Sequence, residues 1–128
     1  HPPYSSDEND YGNLWKTNKG THGDQRARQL VPLYEEYGVD IVWNGHIHSY
    51  ERTWRIQKGK AVEANAPFYM ITGGGGGGLE TPAPTRPFFQ NNVRRGHHYV
   101  MVHINGGTLE LKSYSLTDRL FDQLQIKK

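Results

Sequence analysis

The sequence predicts an α/β chain that turns mainly antiparallel β, with α+β character, after residue 50. Three observations carry this. A helix-forming stretch ends at Gly38 and runs into Val39-Asp40-Ile41-Val42-Trp43, the pattern of an αβ unit feeding a strand buried in a sheet. Beyond residue 50 the apolar segments shorten and alternate with turn residues. Asn105-Gly106-Gly107 then separates two strand-like runs, a strong hairpin signal.

Residues 1–23 are polar and turn-rich, with Pro2-Pro3, Ser5-Ser6 and Asp7-Glu8-Asn9-Asp10. They predict a long loop, and loops of this length in compact domains tend to be functional or disordered. Asp24 can cap a helix starting at Gln25, whose apolar stripe would be Leu30, Leu33, Tyr34 and Tyr37. Pro32 should kink or restart that helix because it lacks an N–H, and Gly38 supplies its left-handed stop. Tyr50 to Ile56 and Lys60 to Val62 flank Gln57-Lys58-Gly59, a hairpin pattern. Phe68 to Thr72 reads as a short apolar strand leading into six consecutive glycines, Gly73 to Gly78. Residues 79–97 read as a loop. His98 to Ile104, Thr108 to Ser115 and the run carrying Leu120, Leu124 and Ile126 read as strands. There is no internal repeat.

Composition narrows the functions. The 128 residues carry 15 Lys and Arg against 13 Asp and Glu, a formal charge of +2. That surplus, without basic runs, argues against a nucleic-acid partner held by bulk electrostatics. Absence of Cys removes disulfides, thiolate metal sites and Cys nucleophiles. The apolar runs are only a few residues long, which argues against a membrane span or a signal-peptide core. Leu, Ile, Val and Phe make only 26 of the 128 residues, near the lower limit for a well-packed domain. The chain starts at His1 rather than Met. Together these lead us to expect a cut piece of a larger core.

The sharpest chemical feature is Asn44-Gly45-His46-Ile47-His48, directly after the apolar run. In extended backbone, two His at i and i+2 point to the same side and address one small volume. Neutral imidazole suits Zn, Fe, Mn or Ni; two surface histidines would give the same spacing. Gly73 to Gly78 could nest a phosphate, but Leu79-Glu80 follows where a phosphate-binding Lys-Ser/Thr would stand. A flexible loop at the rim of the site is the plainer reading. His97 and His98 should face opposite sides of a strand in structural roles. Glu51 and Arg52 read as structural ion-pair residues, and Asp7, Glu8 and Asp10 as a solvated acidic loop that could also ligate a hard cation.

Gly45-His46-Ile47-His48-Ser49-Tyr50-Glu51-Arg52 resembles the Gly-His-x-His-x-Tyr-Glu-Arg signature of purple acid phosphatase-like metallophosphoesterases, within the calcineurin-like superfamily. His1-Pro2-Pro3-Tyr4-Ser5-Ser6, the helix and strand between these motifs, the glycine run and Gly96-His97-His98-Tyr99 are similar too. The resemblance implies a four-layer α/β/β/α sandwich and a metal-dependent phosphoester hydrolase acting on phosphate esters. Residues 1–128 would form its C-terminal portion: 1–24 an active-site loop, 25–49 the helix, strand and histidine motif, 50–128 the β-rich part. It further implies two metal ions, Fe with Zn, Mn or Fe. His1 and His46 would hold one and His48 the other, while His22 would donate a proton to the leaving oxygen or bind phosphate. A secreted or periplasmic parent is common among such relatives.

The family's earlier Asp-x-His, Gly-Asp-x-x-Tyr and Gly-Asn-His motifs do not occur in these 128 residues. Three histidines spread over two ions leave both under-coordinated, so the isolated chain is expected to be inactive and to need the N-terminal half of its domain as partner. The rival reading is a non-enzymatic β-rich module that binds a metal or a partner. Exposed strand edges could instead drive dimerisation.

Overall fold

The computed structural model describes residues 1–7, 22–82 and 86–128. Most of the expected loop over residues 1–23, including Glu8 and Asp10, lies outside the described residues, as do residues 83–85 of the 79–97 segment. Two short helices follow the first segment, α1 (Gln25–Arg28) and α2 (Val31–Glu36). The Asp24 carboxylate caps α1 by accepting from the Arg26 and Ala27 amides at 2.7 and 3.2 Å. Helix α2 restarts with Pro32 in its first turn and ends before Gly38, whose φ is +62°. The predicted apolar stripe is not the buried face. Val31 is buried and Tyr34 packs beside it, whereas Leu30, Leu33 and Tyr37 are 47%, 49% and 77% exposed. The break at residues 29–30 resets the helical phase, and the short α2 then rests on the sheet by one position per turn, at i and i+3.

A four-stranded sheet is built from β1 (Ile41–Asn44), β2 (Tyr50–Thr53), β5 (Phe68–Thr72) and β6 (Gln90–Arg94), in the order β1-β5-β2-β6. Strand β1 runs parallel to β5, and β2 pairs antiparallel with both β5 and β6. Two sequence expectations need correction here. Among the described residues the run ending at Trp43 is not buried: β1 lies at the edge of the described sheet, and Trp43 is 45% exposed. The expected loop over 79–97 contains β6, whose Gln-Asn-Asn-Val-Arg has no strand periodicity and is held extended by its ladder to β2. Strands β3 (Arg55–Gln57) and β4 (Lys60–Val62) form the predicted hairpin. Its turn residues Lys58 and Gly59 both have positive φ, the type I′ pattern that matches strand twist. A second sheet, β7 (His98–Asn105), β8 (Thr108–Ser115) and β9 (Leu120–Lys127), is an antiparallel meander with its first turn at Gly106-Gly107.

Neighbouring residues of β5 show the layering, because alternate side chains leave a strand on opposite faces. Tyr69 joins Tyr4, Val31, Ile56 and Phe89 on the helical side. Met70 joins Tyr50 and Leu111, with Val100, Phe121 and Leu124, between the two sheets. Helices, mixed sheet and antiparallel sheet thus stack as α/β/β.

Strand β2 is buried along all four residues although Glu51, Arg52 and Thr53 are polar. Each therefore needs a partner. On the sheet–sheet side Asp122 of β9 accepts from Arg52 Nε at 2.7 Å, Arg52 Nη2 at 2.8 Å and Tyr50 Oη at 2.6 Å. Burial pushes the Asp122 carboxyl up, but the Arg52 and Tyr50 hydrogen bonds outweigh it and hold the group below its ordinary value. Tyr50 is driven well above the usual phenol range by burial and by donating to that carboxylate. On the helical side Glu51 accepts from the Ser6 amide at 2.8 Å, both Ser5 and Ser6 hydroxyls, and Gln90. Arg52 is thus the structural ion-pair residue expected, whereas Glu51 is structural through neutral serine and glutamine donors rather than through a cation.

Removing one member of a buried pair leaves the other charge uncompensated. Asp122→Ala should therefore cost about 3–5 kcal/mol in urea unfolding, whereas Glu110→Ala, which breaks the exposed pair with Lys112, should cost under about 1 kcal/mol. His98 generates a pH prediction. It is buried edge-on against Tyr50 and Phe121, its Nδ1–H donates to the Gly96 carbonyl at 2.9 Å, and Nε2 has no partner among the described residues. Burial lowers its pKa, the Gly96 bond opposing and Arg94 and His97 assisting. Below about pH 6.5 the unfolded chain then binds a proton that the folded chain resists, so stability falls with pH from there down to the depressed native value. His98→Phe should flatten that part of the profile of urea midpoint against pH.

Candidate metal centre

Strand β1 ends where the Asn44 side chain donates to the Val42 and Met70 carbonyls, at 3.2 and 3.1 Å. The chain then leaves the sheet through Gly45-His46-Ile47-His48. This segment is not extended, contrary to the sequence expectation. The Ile47 amide donates to the Gly45 carbonyl at 3.0 Å and His46 has φ +72°, the combination of a γ-turn of the strained hand. A non-glycine residue in this region is uncommon and concentrates at functional sites. Ile47 is buried at 1% exposure while His46 is exposed and His48 half-buried. The apolar residue between the histidines thus anchors the turn.

The glycine run packs directly on this turn. The Gly73 amide donates to the Ser49 carbonyl at 3.2 Å, and the Glu80 amide to the His48 carbonyl at 3.2 Å. The Glu80 carboxylate accepts from the His48 amide at 3.1 Å, and the Gly78 carbonyl lies 2.7 Å from His48 Nδ1. A Cβ at Gly73 would meet the Ile47 carbonyl oxygen at 1.9 Å, so two backbones touch where no side chain fits. On its other flank the Gly74 carbonyl accepts from the His98 amide and from His97 Nδ1, each at 3.2 Å. Carbonyls, not amides, are what the run presents to these histidines. That polarity does not suit an anion nest, and close approach is the role the glycines fill here.

The His1 ring stacks on the His46 ring, centroids 3.8 Å apart and planes 22° apart. His1 Nδ1 lies 3.3 Å from the Asp24 carboxylate, whose other oxygen caps α1. Asp24 was legible only as a cap, and Glu80 and Gly78 carried no sequence signal beyond following or closing the run. His22 has φ +49°, and its carbonyl accepts from the Ser5 amide and from Arg28 Nη2 at 3.0 and 2.7 Å. Its ring lies edge-on to Phe89, centroids 6.3 Å apart. The structure thus brings His1 to His46, pins His48 to the glycine run, and sets the His22 ring against the apolar cluster.

Donor chemistry tests whether a metal suits these residues. A carbonyl oxygen can only accept, so His48 carries its proton on Nδ1 and keeps the Nε2 lone pair for a ligand. A carboxylate at Nδ1 orients His1 in the same sense. Metal-binding histidines are usually held this way by a carbonyl or carboxylate. The donors fit a metal in kind. Among the described residues, however, no three His, Asp or Glu converge on one point, so a complete ligand set draws on groups elsewhere.

Comparison with known proteins follows the same line. No protein-family profile matches the chain. A nucleotide pyrophosphatase/phosphodiesterase of Hordeum vulgare is 27% identical over 123 residues, 88% of this chain and 31% of that protein. Acid phosphatase type 7 of Mus musculus is 33% identical over 104 residues, 73% of this chain and 23% of its own length. The fold matches a purple acid phosphatase from yellow lupin (Lupinus luteus) seeds with a TM-score of 0.77 at 22% identity, over 99% of this chain and 24% of that one. The chain therefore spans about a quarter to a third of the length of these three proteins. The histidine motif, its glycine bracket and this fold agree in making the chain similar to one part of the purple acid phosphatase-like metallophosphoesterases.

Proposed function

We propose that the protein containing these residues is a metal-dependent phosphoester hydrolase, with His1 and His46 toward one ion and His48 toward a second. The observation that carries this reading is the histidine geometry at the end of β1: His48 held with Nε2 available, and His1 laid on His46 next to a carboxylate. Two bound ions would lower the pKa of a shared water and offset charge on the phosphoryl oxygens. The residues of this chain supply imidazole donors on a turn fixed by Ile47 and the glycine run. His22 enters the reading as proton donor to the leaving oxygen or as a phosphate contact. The described residues alone hold too few converging donors, so the 128-residue chain by itself should show no useful turnover.

The rest of the domain is the partner this reading requires. Val102 and Ile104 share a face of β7 with Val100, which lies in the sheet–sheet core. They and Trp43 of edge strand β1 are nevertheless exposed. These exposed apolar residues support an interior that continues past the last described strands on this side. A further strand pair from the same polypeptide would cover it, and slow amide exchange along β1 and β7 in the whole protein would support this. Fast exchange there would leave the edges free for a second copy instead.

In the whole protein His46→Ala and His48→Ala should each lower kcat/KM for 4-nitrophenyl phosphate by at least about 100-fold, beyond what losing a ligand's supporting partner causes. Chelation should abolish turnover, and Fe, Zn or Mn should restore it. Retained activity in both variants would remove these histidines from the site, and a whole protein without metal-dependent turnover would leave the non-enzymatic metal- or partner-binding module as the better account. If His22 is the proton donor, His22→Ala should slow alkyl phosphates far more than 4-nitrophenyl phosphate, because the better leaving group needs little protonation.

A further inference from the structure

The six glycines have a more specific part than flexibility. Gly77 lies against the face of His48: a Cβ there would sit 2.6 Å from Cε1 and 2.8 Å from Nδ1 of the imidazole. The next residue, Gly78, turns its carbonyl onto Nδ1 at 2.7 Å. Two further bonds, Glu80 amide to His48 carbonyl and His48 amide to Glu80 carboxylate, lock the two segments in register. By contrast a Cβ at Gly75 would meet nothing within 4 Å. The run is therefore not uniformly demanding. One glycine is required by the ring and another of the same loop is not.

We infer that Gly77 and the Gly78 carbonyl are the positioning device that fixes His48 with its proton on Nδ1 and its Nε2 lone pair turned outward. The physical argument is short. A neutral imidazole in water exchanges its proton between both nitrogens, and a metal or hydrogen-bonding ligand can use only the bare one. A carbonyl held at Nδ1 selects one tautomer before any ligand arrives, and the glycine lets the backbone come close enough to do so. Its value to a metal centre rests on the hydrolase reading above; the tautomer itself does not.

The test uses 15N-histidine-labelled, metal-free whole protein, with His48→Gln identifying the His48 ring signals. Long-range 1H–15N correlation should show His48 as the Nδ1–H tautomer. Gly77→Ala should convert it mainly to Nε2–H, the form usual for free histidine, while Gly75→Ala should leave it unchanged. Zinc affinity should fall roughly 10–100-fold in Gly77→Ala, as for other lost ligand supports, and stay unaltered in Gly75→Ala. A wild-type His48 protonated on Nε2, or equal tautomer and zinc affinity in the two variants, would overturn the inference. Should the tautomer and zinc results hold while the protein hydrolyses no phosphate ester, the hydrolase reading falls and the positioning device stands.

Discussion

Everything in this chain hangs on the buried polar strand β2. Tyr50-Glu51-Arg52-Thr53 has no exposed residue, and burying such groups is unfavourable unless each finds a partner. Alternation sends Tyr50 and Arg52 to one face, where the Asp122 carboxylate receives both. It sends Glu51 to the other, where Ser5 and Ser6 bind it. One four-residue strand therefore ties the antiparallel sheet to one side of the mixed sheet and the first residues of the chain to the other. The cost of leaving any of these groups unpaired makes that arrangement specific. It also sets the positions of His48, just ahead of β2, and of His1, a few residues before Ser5.

The histidine turn follows from the same economy of backbone contacts. Between β1 and β2 the chain must leave the end of one strand and enter another, and it does so through a strained residue, His46, with buried Ile47 as its anchor. Such strain persists only where surrounding structure over-determines it. Here the glycine run and Glu80, contributing two hydrogen bonds each, supply that structure at residues 48 and 49. Two histidines, His48 and His97, face carbonyls of the run, Gly78 and Gly74, through Nδ1, and the His98 amide donates to Gly74 as well. The glycine-rich segment is better understood as a rail of acceptors than as slack.

Much of the fold was legible because its signals are local. The Asp24 cap, the restart at Pro32, the stop at Gly38, the two hairpin turns and the strand Phe68–Thr72 depend on residues close in sequence. The failures share a cause. The stripe Leu30, Leu33, Tyr37 was periodic but lost its phase when the helix broke, and periodicity assumes one continuous helix. Strand β6 has no pattern of its own and exists through its ladder to β2. Strand β1 has the composition of a central strand yet lies at the edge of the described sheet.

By itself the sequence determined which residues could do chemistry and what kind: two histidines flanking an apolar anchor, followed by Tyr-Glu-Arg, without a thiol anywhere in the chain. That follows from side-chain identity and spacing, which are properties of the string. Only the tertiary structure decided how those histidines are held. The backbone at His46 is a strained turn rather than a strand, His1 reaches His46 across 45 residues of sequence, and the partner of His48 is a carbonyl thirty residues downstream. A backbone carbonyl is the same in every residue, so nothing in the sequence marks the one that will face an imidazole. That choice is made by packing, at glycines where two chains can touch.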